Sequence, residues 1–254
     1  RRERWDAAER AFVRALRAAQ LADDPELVRR AWYDLGMVRR AARKWDASTE
    51  AFARAERLSA RAGDDAMAMR AHLARMLIAQ RRKQAVDLGG LRGMLGHRRW
   101  DADIALQAGR VFHRAGSGAD AESWYRQAAS RAGRDASGFL IRAQAHLGLA
   151  MLAARAGDAK RLHQALDAAL KAARAVGAPR IIAQAQLLAG THAASATEAQ
   201  DRLERALAIF VALRDEAHAR QTLDALIGLA EREQWEEDRS RYRLMRDSMQ
   251  DSGR

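Results

Sequence analysis

The 254-residue sequence contains no cysteine and only two prolines, and aromatic residues make up 6% of it. Without cysteine there is no disulfide framework and no thiolate-ligated metal. Two prolines and few β-branched or aromatic residues argue against a turn-rich β-sandwich. No apolar run approaches the roughly 18 residues of a membrane span, and no N-terminal stretch reads as a signal peptide. The first residue is Arg rather than Met, so the sequence is expected to begin inside a longer or processed gene product. The absence of cysteine fits both cytosol and periplasm, and a soluble, cytoplasmic chain is the expectation. Lysine is scarce too: Lys44, Lys83, Lys160 and Lys171 are its four occurrences.

Alanine and arginine are plentiful instead. There are 60 alanines, and both residue types are strong helix formers, so the fold class is expected to be all-α. Net charge is +12, carried as +14 over residues 1–200 and −2 over residues 201–254. Such a field suits an acidic partner, nucleic acid or an anionic surface. A bias to Arg over Lys together with abundant Ala is also what a GC-rich coding genome produces, which discounts the charge. The densest basic clusters, Arg81-Arg82-Lys83 and His97-Arg98-Arg99, fall at expected turns with no interleaved aromatic side chains to stack bases. Nucleic acid is therefore a disfavoured partner.

Turn signals recur along the chain. Ala22-Asp23-Asp24-Pro25, Ala62-Gly63-Asp64-Asp65, Leu95-Gly96-His97, Ala132-Gly133-Arg134-Asp135, Val176-Gly177-Ala178-Pro179 and Leu213-Arg214-Asp215 mark a period of about 38 residues. Gly ends one helix in the left-handed conformation, and Asp caps the next. Weaker breaks between these junctions, such as Arg43-Lys44 and Ala156-Gly157-Asp158, split each period into two helices. Thirteen helices are expected, over residues 6–20, 25–42, 46–61, 66–82, 84–95, 101–115, 119–132, 136–156, 159–176, 179–192, 198–212, 215–232 and 235–251. They form one N-terminal helix followed by six pairs.

Second helices share a small residue, a bulky one four later and an alanine three after that. The pattern reads Ala8–Phe12–Ala15, Ser48–Phe52–Ala55, Ala121–Tyr125–Ala128, Leu162–Leu166–Ala169 and Ala199–Leu203–Ala206. Spacings of four and three put all three on one helical face. First helices carry Trp32-x2-Leu35-Gly36 and Leu147-Gly148, and Trp5-Asp6-Ala7 repeats as Trp45-Asp46-Ala47.

These motifs resemble the tetratricopeptide repeat family, whose consensus runs W-x2-L-G-x2-Y, then A-x3-F, then P. The resemblance covers nearly the whole chain and is similar to divergent bacterial members. It implies a right-handed α–α superhelix: a single solenoid domain over 1–254, with approximate repeats 1–22, 23–63, 64–96, 97–133, 134–177, 178–213 and 214–254. Trp5 aligns with the start of a second helix, so the apolar face of helix 6–20 is expected to be partly bare. That asks for upstream residues or a homodimer contact. The charged helix 235–251 supplies the polar outer face of a terminal repeat.

The resemblance also implies that first helices line a concave surface. Carried onto the matching positions, the groove candidates are Arg30, Tyr33, Met37 and Arg40; Leu106, Arg110, His113 and Arg114; and Arg142, Ala145, His146 and Leu149. Their guanidinium groups suit carboxylates, so an acidic peptide or protein segment is the expected partner. The tryptophans Trp5, Trp32 and Trp45 are read as core. Met67, Met69 and Met76 are read as adaptable core filler or the flank of an apolar groove. Seven histidines show no HExxH or His-x3-His spacing, and no serine sits in a GxSxG elbow. Gly89-Gly90 and Gly116-Ser117-Gly118 lack the lysine of a phosphate loop and read as turns. No metal, cofactor or catalytic residue is expected. Three functions remain open: a non-enzymatic interaction scaffold, the ligand-sensing region of a larger bacterial regulator, and nucleic-acid binding.

Overall fold

A computed structural model describes the backbone of residues 2–96 and 98–251 and the side chains of residues 5–96 and 98–249. His97, part of the second basic cluster, lies outside them. The described residues form thirteen α-helices and no strand. These are α1 (Arg2–Leu21), α2 (Pro25–Ala41), α3 (Trp45–Arg61), α4 (Asp65–Arg81), α5 (Leu88–Leu95), α6 (Ala102–Arg114) and α7 (Gly118–Arg131). They continue as α8 (Ala136–Arg155), α9 (Ala159–Ala175), α10 (Pro179–Thr191), α11 (Ala196–Ala212), α12 (Glu216–Arg232) and α13 (Glu236–Asp251). Helices pack on their sequence neighbours, as in a helical-repeat solenoid. The chain divides into two compact units, Arg1–Trp124 and Tyr125–Arg254, and the division falls inside α7.

One turn recurs. The residue past the helix end takes positive φ at Asp23, Arg43, Gly63, Lys83, Gly116, Gly157, Gly177, Arg214 and Gln234. The next backbone N–H then reaches back five residues, as from Lys44 to the Arg39 carbonyl and from Asp64 to the Ser59 carbonyl. That pairing satisfies carbonyls the helix leaves open. In α1–α4 the left-handed residues are 23, 43, 63 and 83, an even step of twenty. Carboxylates start many helices. Asp24 accepts from the Glu26 and Leu27 N–H groups, Asp64 from Met67, Asp101 from Ile104, Asp135 from Gly138 and Asp158 from Arg161.

The expected helix over 84–95 is shorter than its pattern suggested. Asp87 caps it by accepting from the Gly90 N–H, so residues 84–86 stay outside. Gly89 and Gly90 accordingly lie in the first turn of α5 rather than in a turn between helices.

Close helix approach rests on small residues. A Cβ at Gly36 would stand 2.8 Å from the Phe52 ring, one at Gly148 2.6 Å from Tyr125, and one at Gly190 2.8 Å from Leu203. Each Gly thus receives the bulky residue of the second-helix motif. Phe52, Ala55 and Ala51 are wholly buried, and Tyr33 meets Phe52 edge-on at 5.3 Å between ring centres. Ser48 closes the same contact by donating its hydroxyl to the Gly36 carbonyl at 2.7 Å. In unit 2, Leu162, Leu166 and Ala169 occupy one apolar cluster, and Ala199, Leu203 and Ala206 another.

The core reading of Trp5 is corrected: it is 40% exposed, because no described helix lies outside α1. Trp32 and Trp45 are half-buried against the Phe52 cluster. At the other end, α13 buries Tyr242, whose hydroxyl donates to Glu204 at 2.5 Å and accepts from Gln200 and Arg241. On the same helix Arg243 turns to Glu231 and Arg246 to Asp224, both on α12.

Candidate functional site

Three first helices of unit 1, α2, α4 and α6, contribute to one concavity. It has a volume of about 440 Å³ and is lined by Glu26, Arg29, Arg30, Tyr33 and Asp34, by Asp64, Met67 and Arg70, and by Asp103. Pro25 at the first position of α2 and the Asp24 cap fix where that helix begins, so Arg30, Tyr33 and Asp34 share the face turned to α4. Arg70 pairs with Asp101 and lies 3.6 Å from Asp103, which ties the start of α6 to α4.

Deeper along α2, Tyr33 and Met37 pack on the Phe52 cluster, and Arg40 follows one turn on. Arg40 is half-buried, and no described carboxylate stands at ion-pair distance from it. Desolvation holds its guanidinium below the ordinary arginine range. Arg114 lowers it further, while Tyr33 and Asp103 act the other way. Burial likewise pushes the Tyr33 hydroxyl above the usual tyrosine range, and Asp34 is raised for the same reason. Arg114 reaches the Leu77 carbonyl at 3.4 Å. Arg30, Tyr33, Met37, Arg40 and Arg114 therefore belong to one region of unit 1. Arg110, on the same helix as Arg114, donates to Gln107 at 3.2 Å.

Three candidates are corrected. Leu106 is 1% exposed, Ala145 is wholly buried, and His113 is 8% exposed. On α6 and α8 the motif's flanking positions turn into the packed interior, because these helices are covered on more of their circumference than α2. Arg142 and His146 belong to unit 2. Arg142 donates to the Ala132 and Gly133 carbonyls at 2.9 and 3.1 Å and stacks over Phe139, so it secures the end of α7. Leu149 is half-buried on the same helix.

His146 is held below the ordinary histidine range, first by burial and then by Arg142. Protonation is thus harder in the folded chain than in the unfolded one. This contribution to stability is complete above the unfolded value of about 6.5 and is lost as pH falls through that value toward the folded one. The melting temperature should therefore fall from pH 7 to pH 5.5, and His146→Gln should flatten that slope. An identical slope in the variant would assign the loss to other groups.

Sequence reasoning missed Arg29, Asp34, Arg70 and Asp103 among the lining residues, while Met67 was read as either core filler or the flank of a groove. The acids matter most, since they make the concavity mixed in charge rather than uniformly basic. The signal available was the i, i+4 spacing of Arg30 and Asp34, and Asp103 in the first turn after the Asp101 cap. Of the methionines, Met69 and Met76 are core and Met67 lines the concavity.

Within the basic clusters, Arg82 pairs with Asp46, Arg98 with Asp65, and Arg81 lies over the Trp45 ring. Among the described residues no group of three His, Asp or Glu side chains is placed to hold a metal ion, and no helix is long and apolar enough to cross a membrane.

Architecture and core packing place the chain among all-α helical-repeat proteins. Its fold is similar to the crystal structure of BtubC (BKLC) from P. vanneervenii, with a TM-score of 0.55 and 18% identity, over 98% of this chain and 91% of that one. At this identity the likeness is one of fold. No family model and no curated protein matches the sequence.

Proposed function

We propose that the chain is a non-enzymatic interaction module of the tetratricopeptide repeat type, in which unit 1 receives an acidic segment of a partner protein. The observation that carries this reading is Arg40, a half-buried guanidinium beside Tyr33 and Arg114 with no carboxylate partner among the described residues. Withdrawing a cation from water without pairing it costs stability. A carboxylate from a bound segment would offset that cost, with Tyr33 and Met37 offering apolar contact beside it. The acids Asp34 and Asp103 at the same concavity would set register, disfavouring a segment that is acidic throughout and favouring one with interspersed basic residues.

The test is selection from a library of 12-residue peptides displayed in random sequence. Peptides enriched on the chain should carry acidic residues. Replacing Arg40 and Arg114 with Ala should weaken them by about tenfold, as loss of a charge-assisted contact does. The fold should survive, since Arg114 is exposed and Arg40 only half-buried. Equal affinity for parent and double variant would remove the reading.

A further inference from the structure

Five residues past the N-cap, four of the first helices carry an apolar side chain: Met69 in α4, Leu106 in α6, Leu140 in α8 and Ala183 in α10. In α2 and α12 that position is an arginine, Arg29 and Arg220. Both arginines hold Nε buried without a hydrogen-bond partner. Arg220 still donates from Nη2 to the Met249 carbonyl of α13 at 2.9 Å. Counted from the left-handed residues Gln234 and Arg43, the counterpart of Met249 is Leu58 on α3. The Leu58 carbonyl already accepts the Ala62 N–H at 3.2 Å, within the turn that closes α3. Arg29, half-buried, has no hydrogen bond or ion pair among the described residues. A guanidinium drawn out of water without an acceptor costs stability, and an acceptor supplied from outside would offset that cost.

Arg29 borders a recess of about 400 Å³ where the end of α1, the start of α2 and the end of α3 meet. These are three consecutive helices packed on one another, so the recess is built without any segment preceding α1. Pro25, Val28 and Leu58 give it an apolar lining. Arg61, exposed in the last turn of α3, adds a second guanidinium with no ion pair among the described residues. Two carboxylates border the recess as well. Asp24 is spent on capping, accepting from the Glu26 and Leu27 N–H groups at 3.0 Å. Asp23 stays exposed at the turn and disfavours an occupant with two negative charges. We propose that this recess binds a small apolar monocarboxylate, its carboxylate held by Arg29 and Arg61 and its body laid on Pro25, Val28 and Leu58. The volume is in the ordinary range of small-molecule sites, and a guanidinium fork matches a carboxylate. Arg29 also borders the concavity between α2, α4 and α6, whereas Val28, Leu58 and Arg61 do not. The inference does not depend on the function proposed for that concavity.

The probe is 1-anilinonaphthalene-8-sulfonate, a monoanion with an apolar body. Its fluorescence should rise on the full chain and fall as octanoate displaces it. Octan-1-ol, the same body without charge, should need about tenfold more to displace the dye, as loss of a charge-assisted contact implies. Octyl phosphate, which can carry two charges, should compete less well than octanoate. Arg29→Met, which installs the residue α4 has at this position, should abolish displacement by octanoate while the circular-dichroism melt stays at or above that of the parent. Arg61→Glu, at an exposed site, should weaken octanoate by about tenfold. Arg30→Ala, which borders the concavity but not the recess, should leave octanoate binding unchanged. No rise in fluorescence, equal potency of octanoate and octan-1-ol, stronger competition by octyl phosphate, or octanoate binding that survives Arg29→Met would overturn the inference. So would loss of octanoate binding on Arg30→Ala, since the ligand would then sit in the concavity.

Discussion

Phe52→Ala is expected to lower unfolding stability by roughly 3–5 kcal/mol, as truncation of a buried phenylalanine does. Phe52 is fully buried, and its ring occupies the space that Gly36 leaves open on α2. Removing it takes away the edge contact with Tyr33 and leaves a void bounded by Ala71, Ala74 and Ile78 of α4. These neighbours are held by their own helices, so the void cannot collapse cheaply. Urea unfolding followed by circular dichroism measures the change. A loss below about 0.5 kcal/mol, the range of ordinary surface sites, would refute the packing register of α2, α3 and α4. The equivalent truncation at Phe12 should cost clearly less, because that ring is only half-buried.

The second large effect is expected at Gly138→Ala. Gly138 is buried in the first turn of α8, and a Cβ there would press on the backbone of Gly133, 2.6 Å from its nitrogen and nearer still to its carbonyl oxygen. Backbone cannot swing aside as a side chain can. The turn between α7 and α8 must open, at a cost of about 1–3 kcal/mol, the range for overpacking. The control is Gly93→Ala in α5, where an added methyl meets nothing within 4 Å. There the better helix propensity of alanine should stabilise by up to about 1 kcal/mol. Thermal melts of the two variants should therefore move in opposite directions. A Gly138 variant melting with the parent would place the α7–α8 turn elsewhere.

The helices were legible because each level of the sequence agrees with the next: alanine-rich periodic faces, Asp at the starts, Gly or a polar residue past the ends. Legibility failed at residues 84–86, where good helix formers precede the true cap at Asp87. It failed differently at the concavity. Arg30 and Tyr33, which line it, flank a motif on α2, a helix covered on few sides. The same flanking positions on α6 and α8 gave Leu106, His113 and Ala145, which are interior. One residue along a helix is a rotation of about 100°, so a small error in register separates a lining residue from a core residue. Asp103 and Arg70 became visible only once α2, α4 and α6 lay side by side, an arrangement that no single segment records.

The left-handed turn at twenty-residue steps bears on how such a chain tolerates change. An inserted residue inside a helix swings every later side chain on that helix to a new heading. The next bend, set by its own backbone hydrogen bonds, starts afresh and passes no error onward. Damage from a slipped letter is thereby quarantined within one segment, so neighbouring repeats can drift apart in spelling while keeping a common shape. Its cost is that no distant residue corrects a poor one, and each hairpin depends on the few atoms where it touches the next.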